Sequence, residues 1–318
     1  MPIQQMLLGG GSGEVAGQQV WTQGGVGGSQ NYYETTWTVP AGVSKISLVC
    51  IGKGAHATQY QGGAGGGLCY ANNISVTEGE TLVVYIMGGT LSYTDYYRNN
   101  LTQKLYLWGT RVFKGTPSSP DWAVIATAAN TIHAGTGSVV NVTTYQGQQG
   151  GQPGAYGTGG WGNASKWSGG AGGAAGYSSY GGTGGTFANG GSNDGGDSSS
   201  GGGGGQGNVN SSFGTEVVGG GGGTGLAGHI AGGGGGAKST GSGGSYDERG
   251  CGKGGSGGTP SSVTQTAAAG GGGAHPYGAG NGDTVNQAST PLTMGYGGVR
   301  IVWPGDARLY PSTRMLNE

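Results

Sequence analysis

The first half of the chain carries its apolar residues in short runs typical of β-strands. Residues 43–51 alternate, with Ile46, Leu48 and Cys50 on one face, while the other face changes from polar to apolar along the run. A strand shows this pattern when only its far end is covered on both sides. No segment here has a 3.6-residue period, so this half is predicted to be all-β. Other runs rich in β-branched and aromatic residues predict strands at 82–87, 104–108, 111–114, 122–126 and 138–145.

Two features of spacing suggest how these strands connect. Gly109-Thr110 separates two of the runs by two residues, which favours a hairpin turn at that dipeptide. Much later, residues 299–303 read Val-Arg-Ile-Val-Trp and form a plain strand pattern after a long glycine-rich stretch. Because a lone strand is unstable, we expect this segment to return to the first half and pair beside 43–51.

The sequence between these two parts is dominated by glycine. The chain has 84 Gly among 318 residues, with pure runs at 201–205, 219–223 and 232–236. A flexible linker is one interpretation, because glycine loses more backbone entropy on ordering than any other residue. Against it, the spacers between the runs are rich in Tyr, Trp and Phe, which disordered segments avoid. The runs also recur along the chain, as repeating architectures do.

We therefore predict an ordered bundle of left-handed extended helices, the polyglycine-II arrangement, for residues 146–295. Such a helix has three residues per turn and no internal hydrogen bonds, so its N–H and C=O groups point outward. Because glycine has no side chain, neighbouring helices can pair these groups with one another. The predicted fold class is all-β plus polyglycine-II. A small β-sandwich at 36–145, completed by a strand at 296–303, carries the glycine-rich domain as an insertion, and residues 1–35 and 304–318 are extended arms.

Composition and motifs argue against several functions. Only 8% of the residues are charged and the net charge is -1, so the basic surface of a nucleic-acid-binding protein is missing. The odd number of cysteines (Cys50, Cys69 and Cys251) favours free, small buried thiols over a disulfide framework or a zinc site. The four histidines lack metal-ligand spacing, and Lys238 follows a glycine run without the strand and helix of a phosphate-binding loop. We expect no enzymatic activity, no metal and no cofactor.

Both ends of the chain and the glycine-rich part carry a family resemblance. Residues 37–43 (Trp-Thr-Val-Pro-Ala-Gly-Val), the Gly-Gly-Ala-Gly-Gly-Gly at 62–67 and the closing Gly-Val-Arg-Ile-Val-Trp at 298–303 resemble glycine-rich virion proteins of tailed bacteriophages. The glycine-rich part is similar to the polyglycine-II domain of the fibre-tip adhesins of T4-like Salmonella phages. The opening Met-Pro-Ile-Gln-Gln-Met-Leu-Leu-Gly and the segment 299–313 resemble tail-fibre-type proteins of marine phages, cyanophages included.

The resemblance implies a function in host attachment. A protein of this kind is a tail-fibre or tail-tip adhesin, located in the virion, that binds a host outer-membrane protein or surface glycan through loops of its glycine-rich domain. Its other partners are tail and fibre proteins, and we expect a symmetric homo-oligomer on the virion. Docking to the virion is expected through Ile3, Met6, Leu7 and Leu8. The alternatives are a purely structural tail, fibre-adaptor or capsid-fibre subunit without receptor binding, and an ice-binding protein.

The glycine runs also suggest which loops would contact a receptor. If the last run points toward the sandwich and the runs alternate in direction, every second connection is distal, which predicts distal loops at 174–180, 206–218, 237–251 and 274–294. Tyrosine and arginine in such loops offer contact area and directional bonds. The alternative is that these aromatics only cover the edges of the bundle, and one miscounted helix would exchange the two sets of loops. The candidate contact residues are Tyr177, Tyr180, Phe213, Tyr246, Asp247, Arg249, His275 and Tyr277.

Overall fold

The chain folds into two five-stranded antiparallel sheets that pack face to face as a sandwich. The computed structural model describes residues 16–22, 32–55, 64–87, 109–129, 133–151, 172–183, 226 and 297–311, together with the backbone of six short strands between 215 and 286. These described residues form no helix, and therefore none that is long and apolar enough to cross a membrane. The predicted all-β sandwich is confirmed.

Most strands of the sandwich precede the glycine-rich part of the chain. They are β1 (Gly17–Thr22), β2 (Tyr32–Thr38), β3 (Lys45–Ile51), β4 (Leu68–Ser75), β5 (Thr81–Met87), β6 (Gly109–Thr116), β7 (Ser119–Thr127), β8 (Gly137–Val140) and β9 (Tyr145–Gln148). The short strands that follow are β10 (Thr215–Val217), β11 (Ser239–Gly241), β12 (Thr266–Ala268), β13 (Ala274–His275), β14 (Gly278–Ala279) and β15 (Thr284–Asn286). The last strand is β16 (Gly298–Trp303).

The strand order shows how the late strand completes the fold. Sheet 1 has the order β1-β16-β3-β4-β9, and sheet 2 has the order β2-β5-β6-β7-β8. In sheet 1, β16 pairs antiparallel with β3, with Val299 opposite Cys50 and Ile301 opposite Leu48. The predicted return of 299–303 to a position beside 43–51 is therefore confirmed. Outside the two large sheets, β10 pairs with β11, β12 with β15, and β13 with β14.

The core lies between the inward faces of the two sheets. Leu48 and Ile301 of sheet 1 meet Val84 and Val124 of sheet 2, and all four side chains are fully buried. Burial of one such side chain contributes about 1.5–3 kcal/mol relative to its exposed state. Cys50 faces the same core, and both it and Cys69 are free and buried, as predicted. Cys251 lies outside the described residues.

Several strand predictions are confirmed and one turn prediction is wrong. The runs 82–87 and 122–126 lie in β5 and β7. Gly109-Thr110 is not a hairpin turn, because both residues pair with β7 inside β6. The chain reverses instead at Pro117-Ser118, where proline presets the turn geometry. The run 104–108 lies outside the described residues.

Other differences concern strand limits. The run 138–145 is two strands rather than one, since the chain turns at Asn141 (φ 51°) and passes from β8 in sheet 2 to β9 in sheet 1. Residues 17–22, assigned from sequence to an extended arm, form β1 at the edge of sheet 1. Strand β4 was also missed. Strand β2 was missed as well, and its residues 32–35 were assigned from sequence to the same arm. In all three missed strands polar residues interrupt the apolar pattern, among them Gln18 and Gln19, which are nevertheless buried.

The two ends of the sandwich differ in their connections. At one end, the turn pole, the strands are joined by the short segments 39–44, 76–80, 117–118 and 141–144. At the opposite end, the glycine pole, they are joined by the longer segments 23–31, 52–67, 88–108, 128–136 and 149–297. Because Gly17 pairs with Trp303, the first residue of β1 and the last residue of β16 both lie at the turn pole. The glycine-rich insertion therefore leaves the sandwich at the end opposite to these two positions.

Candidate functional site

Extended glycine-rich segments bond to one another through their backbones at the glycine pole. Segment 64–67 is the best example, because successive residues bond to different neighbours. The Gly65 amide donates to the Gly151 carbonyl (2.9 Å), the Gly66 carbonyl accepts from Ala175 (2.9 Å), and the Gly67 carbonyl accepts from Gly52 (2.8 Å). A strand in a flat sheet bonds to neighbours on two sides only, whereas this segment is surrounded by bonded chains.

The same network extends outward from that segment. The Gly151 amide donates to Gly173 (2.7 Å), and the Gly173 amide donates to Gly182 (2.8 Å). These residues are buried, so their backbone groups would be costly to leave unpaired. A Cβ atom at Gly65 would overlap the Gly173 carbonyl, and one at Gly151 would overlap the Gly182 carbonyl. Glycine is thus required here by the close approach of neighbouring backbones.

The glycine-rich chain also covers the outer face of sheet 1. Tyr177 is fully buried there, with its ring stacked on that of Tyr310 (centroids 5.8 Å apart, interplanar angle 6°) and 5.9 Å from that of Tyr70. Leu226 is fully buried in the same cluster, beside Val302. Two separate parts of the glycine-rich region, 172–177 and residue 226, are therefore fixed to the sandwich by large apolar side chains.

Arg300 of β16 connects three parts of the chain at this face. Its side chain is fully buried, and its Nε and Nη2 atoms donate to Oε1 of Gln18 in β1 at 3.1 and 2.8 Å. Its Nη1 donates to the backbone carbonyl of Leu226 at 3.1 Å. Fork-shaped hydrogen bonding of this kind is a property of the guanidinium group. The outer face of sheet 1 thereby holds the glycine-rich chain by a polar bond as well as by packing.

The segment after β16 folds back onto the same face. Ser47 donates to the Gly305 carbonyl (2.9 Å), and Asn72 exchanges two hydrogen bonds with the backbone of Tyr310 (2.8 and 2.9 Å). The Arg308 side chain donates to the carbonyl of Gly17. Burial raises the pKa of the Tyr310 hydroxyl to about 12, so this group stays neutral near pH 7. Residues 304–311, predicted as part of an extended tail, are therefore packed on the sandwich.

One lysine, Lys53, is buried at the glycine pole. Lys53 follows β3, is 2% exposed, and its backbone carbonyl accepts from Ala129 (2.8 Å). Burial lowers the pKa of its amine from 10.5 to about 7. The side chain is thus only partly charged at neutral pH.

One candidate contact residue must be corrected. Tyr177 was predicted to lie in a distal loop at 174–180 and to contact a receptor. The chain instead turns at 176–179, where Gly176 donates to Ser179 (3.0 Å), against the outer face of sheet 1, and Tyr177 is buried there. Tyr177 therefore packs against the sandwich and does not lie in a distal loop.

The other candidate residues differ in what the structure describes. Tyr180 is 67% exposed, the largest value among the described large apolar and aromatic side chains. His275 lies in β13, whose backbone approaches that of β16 in sheet 1, so it is beside the sandwich and not in the distal position predicted for loop 274–294. The following residues lie outside the described part of the chain: Phe213, Tyr246, Asp247, Arg249 and Tyr277 of the candidate contact loops, and Ile3, Met6, Leu7 and Leu8 of the candidate docking segment.

Two of the predicted distal loops are joined to each other. Strand β10 belongs to loop 206–218 and strand β11 to loop 237–251, and Thr215 pairs with Gly241. Leu226, which lies between these strands in the sequence, is fixed to sheet 1. The chain on each side of the anchored Leu226 therefore leads to the same paired structure.

Sequence reasoning missed several residues of this region. It did not identify Arg300 and Leu226 as contacts between the glycine-rich chain and sheet 1. It also did not identify the exposed tyrosines Tyr32, Tyr33 and Tyr145, which are between 43% and 50% exposed. A signal existed for Arg300, because a charged residue within a plain apolar strand requires partners if it is buried.

The described residues contain no group of three or more His, Cys, Asp or Glu that could hold a metal ion. In sequence comparisons, neither a known family of proteins nor a curated protein matches the chain.

Proposed function

We propose that the protein is a bacteriophage tail-fibre or tail-tip adhesin, located in the virion, that binds the host surface through loops of its glycine-rich domain. The observation that carries the proposal is the polarity of the sandwich. Gly17 and Trp303 lie at the turn pole, and the glycine-rich insertion leaves from the opposite pole. A protein anchored through its two outer segments would hold the insertion away from its anchor.

The contact surface is proposed to be built from loops 206–218 and 237–251. Their support is the pairing of β10 with β11, combined with the anchoring of Leu226 between them. If Leu226 marks a point where the chain meets the sandwich, the alternation of runs makes the connections on both sides of it distal. The candidate contact residues in these loops are Phe213, Tyr246, Asp247 and Arg249, while Tyr177 no longer belongs to the set.

The glycine-rich insertion is proposed to be a polyglycine-II bundle. The backbone bonds around 64–67 support this, since segments there bond to neighbours in several directions and have no room for a Cβ atom. These features are those expected where left-handed extended helices pack side by side. The anchoring side chains Tyr177 and Leu226 would orient the bundle on the sandwich.

A structural virion subunit without receptor binding is the second candidate. Its support is the tight packing of 304–311 and of Tyr177 on sheet 1, which would suit a rigid spacer as well as an adhesin. The two candidates differ in whether loops 206–218 and 237–251 are free or are covered by neighbouring virion proteins.

The test is binding of the purified, fluorescently labelled full chain to cells of candidate bacterial hosts, with competition against virus adsorption. The matched variant replaces 242–250 with Gly and Ser and leaves β11 intact. The adhesin proposal predicts saturable binding and inhibition of adsorption by the intact chain, with both lost in the loop variant. Absence of binding to cells that the virus adsorbs to, or equal binding by the loop variant, would contradict it.

A further inference from the structure

Among the strands that the structure describes, β2 is an open edge of sheet 2. It pairs with β5 over seven consecutive positions without a bulge, and no other described strand pairs with it. The opposite edge of sheet 2 is closed, because β8 meets β9 of sheet 1, where the backbones of Gly137 and Gly147 are in contact. Natural proteins protect long edges with proline, charged side chains or a bulge. Strand β2 has no proline and no bulge, and Glu34 is its one charged residue.

The backbone groups that β2 leaves open can be identified. Val39 directs both its N–H and its C=O toward the β5 side, since it donates to Glu80 (2.8 Å) and accepts from Gly79 (3.0 Å). Alternate residues of a strand direct these groups to opposite sides. The residues that direct their backbone groups toward the open side are therefore Tyr32, Glu34, Thr36 and Thr38.

The side chains at this edge are held in place before any partner binds. Tyr32 is 44% exposed, yet its ring stacks on that of Tyr85 (centroids 4.8 Å, 18°). The Arg111 guanidinium lies 4.2 Å from the centre of the Tyr85 ring. An aromatic side chain that is half exposed but already ordered loses little entropy when it is covered. Tyr33, 43% exposed, is its neighbour on the other face of the strand.

The sequence of β2 is complementary to itself in one antiparallel register. If a two-fold axis passes beside Thr35, Glu34 of one copy lies opposite Thr36 of the other, so the one charged residue of the strand avoids its own copy. Tyr33 then lies opposite Trp37 of the second copy, an aromatic pair of the kind that stabilises sheets. In a register centred on Glu34, by contrast, two carboxylates would meet.

We propose that β2 is the interface of a two-fold homodimer, in which two copies pair antiparallel through their β2 edges about Thr35 and join their second sheets into one. The partner is a second copy of this chain, and the interface is isologous. This inference stands on β2 alone and does not depend on the proposed host attachment.

The first test measures the association of the full chain by analytical ultracentrifugation over a range of concentrations. Thr36→Pro removes an N–H that points to the open side, and proline is tolerated at such edge positions. Thr36→Val keeps that N–H and is the matched control. We expect dimers for the intact chain and for Thr36→Val, and a dissociation constant about 100-fold higher for Thr36→Pro because the added ring also blocks close approach of the second strand.

The second test fixes the register by cross-linking in a Cys251→Ser background. Thr35→Cys would place two thiols directly opposite each other across the axis, within the range of a disulfide. Thr36→Cys would place its Cα atoms roughly 8 Å apart, beyond that range. We expect a covalent dimer with Thr35→Cys only. The proposal would be overturned if the intact chain is monomeric, which would leave the edge to a strand of another protein. It would also be overturned if Thr36→Pro leaves the dimer unchanged. Equal cross-linking of both cysteine variants would overturn the proposed register.

Discussion

The sandwich core and the glycine pole fill space in opposite ways. In the core, Leu48 and Ile301 meet Val84 and Val124, so that side chains occupy the space between backbones. At the glycine pole, the backbones of Gly65, Gly151 and Gly173 touch each other directly and leave no space for a side chain. The core is stabilised by the packing of side chains, whereas the glycine pole is stabilised by direct contact between backbones that carry no side chains.

The core should therefore be sensitive to the removal of side-chain atoms, and the glycine pole to their addition. Removal of side-chain atoms from the core leaves a cavity. Addition of one carbon at the glycine pole forces two backbones apart and breaks hydrogen bonds that buried groups require. Substitutions in the two regions therefore test whether the backbones at the glycine pole are closely packed.

The largest effect is expected in the core. Leu48→Ala removes most of a fully buried side chain between the two sheets, and the expected loss in the free energy of unfolding is about 3–5 kcal/mol. Chemical denaturation followed by tryptophan fluorescence measures it. A loss below about 1 kcal/mol would mean that the core is not packed as described.

The glycine pole should respond to a gain of one carbon almost as strongly. Gly65→Ala places a Cβ atom into the Gly173 carbonyl, and we expect a loss of about 3 kcal/mol, the upper part of the range for overpacking. Gly42→Ala is the control, since a Cβ there meets nothing within 4 Å and only the φ of 75° opposes it, at a cost of about 1 kcal/mol. Equal effects of the two substitutions would contradict the close packing of the glycine pole.

The bond between the two regions should have an intermediate effect. Arg300→Met keeps an apolar stem but leaves Gln18 Oε1 and the Leu226 carbonyl without this donor, for an expected loss of about 1–3 kcal/mol. Protease digestion should then cleave the glycine-rich region faster while the sandwich stays intact. If Arg300→Met unfolds both regions together, the bond does not act specifically on the glycine-rich chain.

The smallest effect concerns pH. The folded pKa of Lys53, about 7, lies below the usual 10.5, so between these values the unfolded state holds more protons and stability rises with pH. From pH 7 to 8.5, the contribution to the free energy of unfolding is about 1–2 kcal/mol. The burial-raised pKa values of Cys50 and Cys69 act in the opposite direction only above about pH 9. Urea denaturation of Lys53→Met should lack this rise, and an unchanged pH dependence would exclude Lys53 as its source.

The sandwich could be predicted from the sequence because several of its strands have a recognisable local pattern of apolar residues. Alternation in 43–51 and the apolar run 82–87 lie in β3 and β5, and the isolated apolar segment 299–303 could only be stable in an existing sheet. By contrast, β1 was missed because its buried Gln18 acquires its role from Arg300, almost the whole chain length away. Local pattern cannot reveal a polar residue whose partner is distant in sequence.

The candidate site was less predictable for a related reason. The direction of a glycine run is not encoded in the run itself, because glycine has no side chain to mark one face or end. Tyr177 is buried because its ring packs against those of Tyr70 and Tyr310 on sheet 1, and both of these residues are distant from it in sequence. One such anchor was enough to reverse the assignment of loop 174–180.

We propose that the glycine-rich region is an ordered bundle whose backbone groups bond to one another. The most direct measurement is hydrogen–deuterium exchange of the intact chain, read by mass spectrometry for peptides that cover the runs 201–205, 219–223 and 232–236. We predict amides in these runs that exchange far more slowly than those of an unstructured chain, with Arg300→Met lowering the protection around Leu226 first. Exchange of all three runs at the rate of an unstructured peptide, in a chain whose sandwich remains protected, would contradict it.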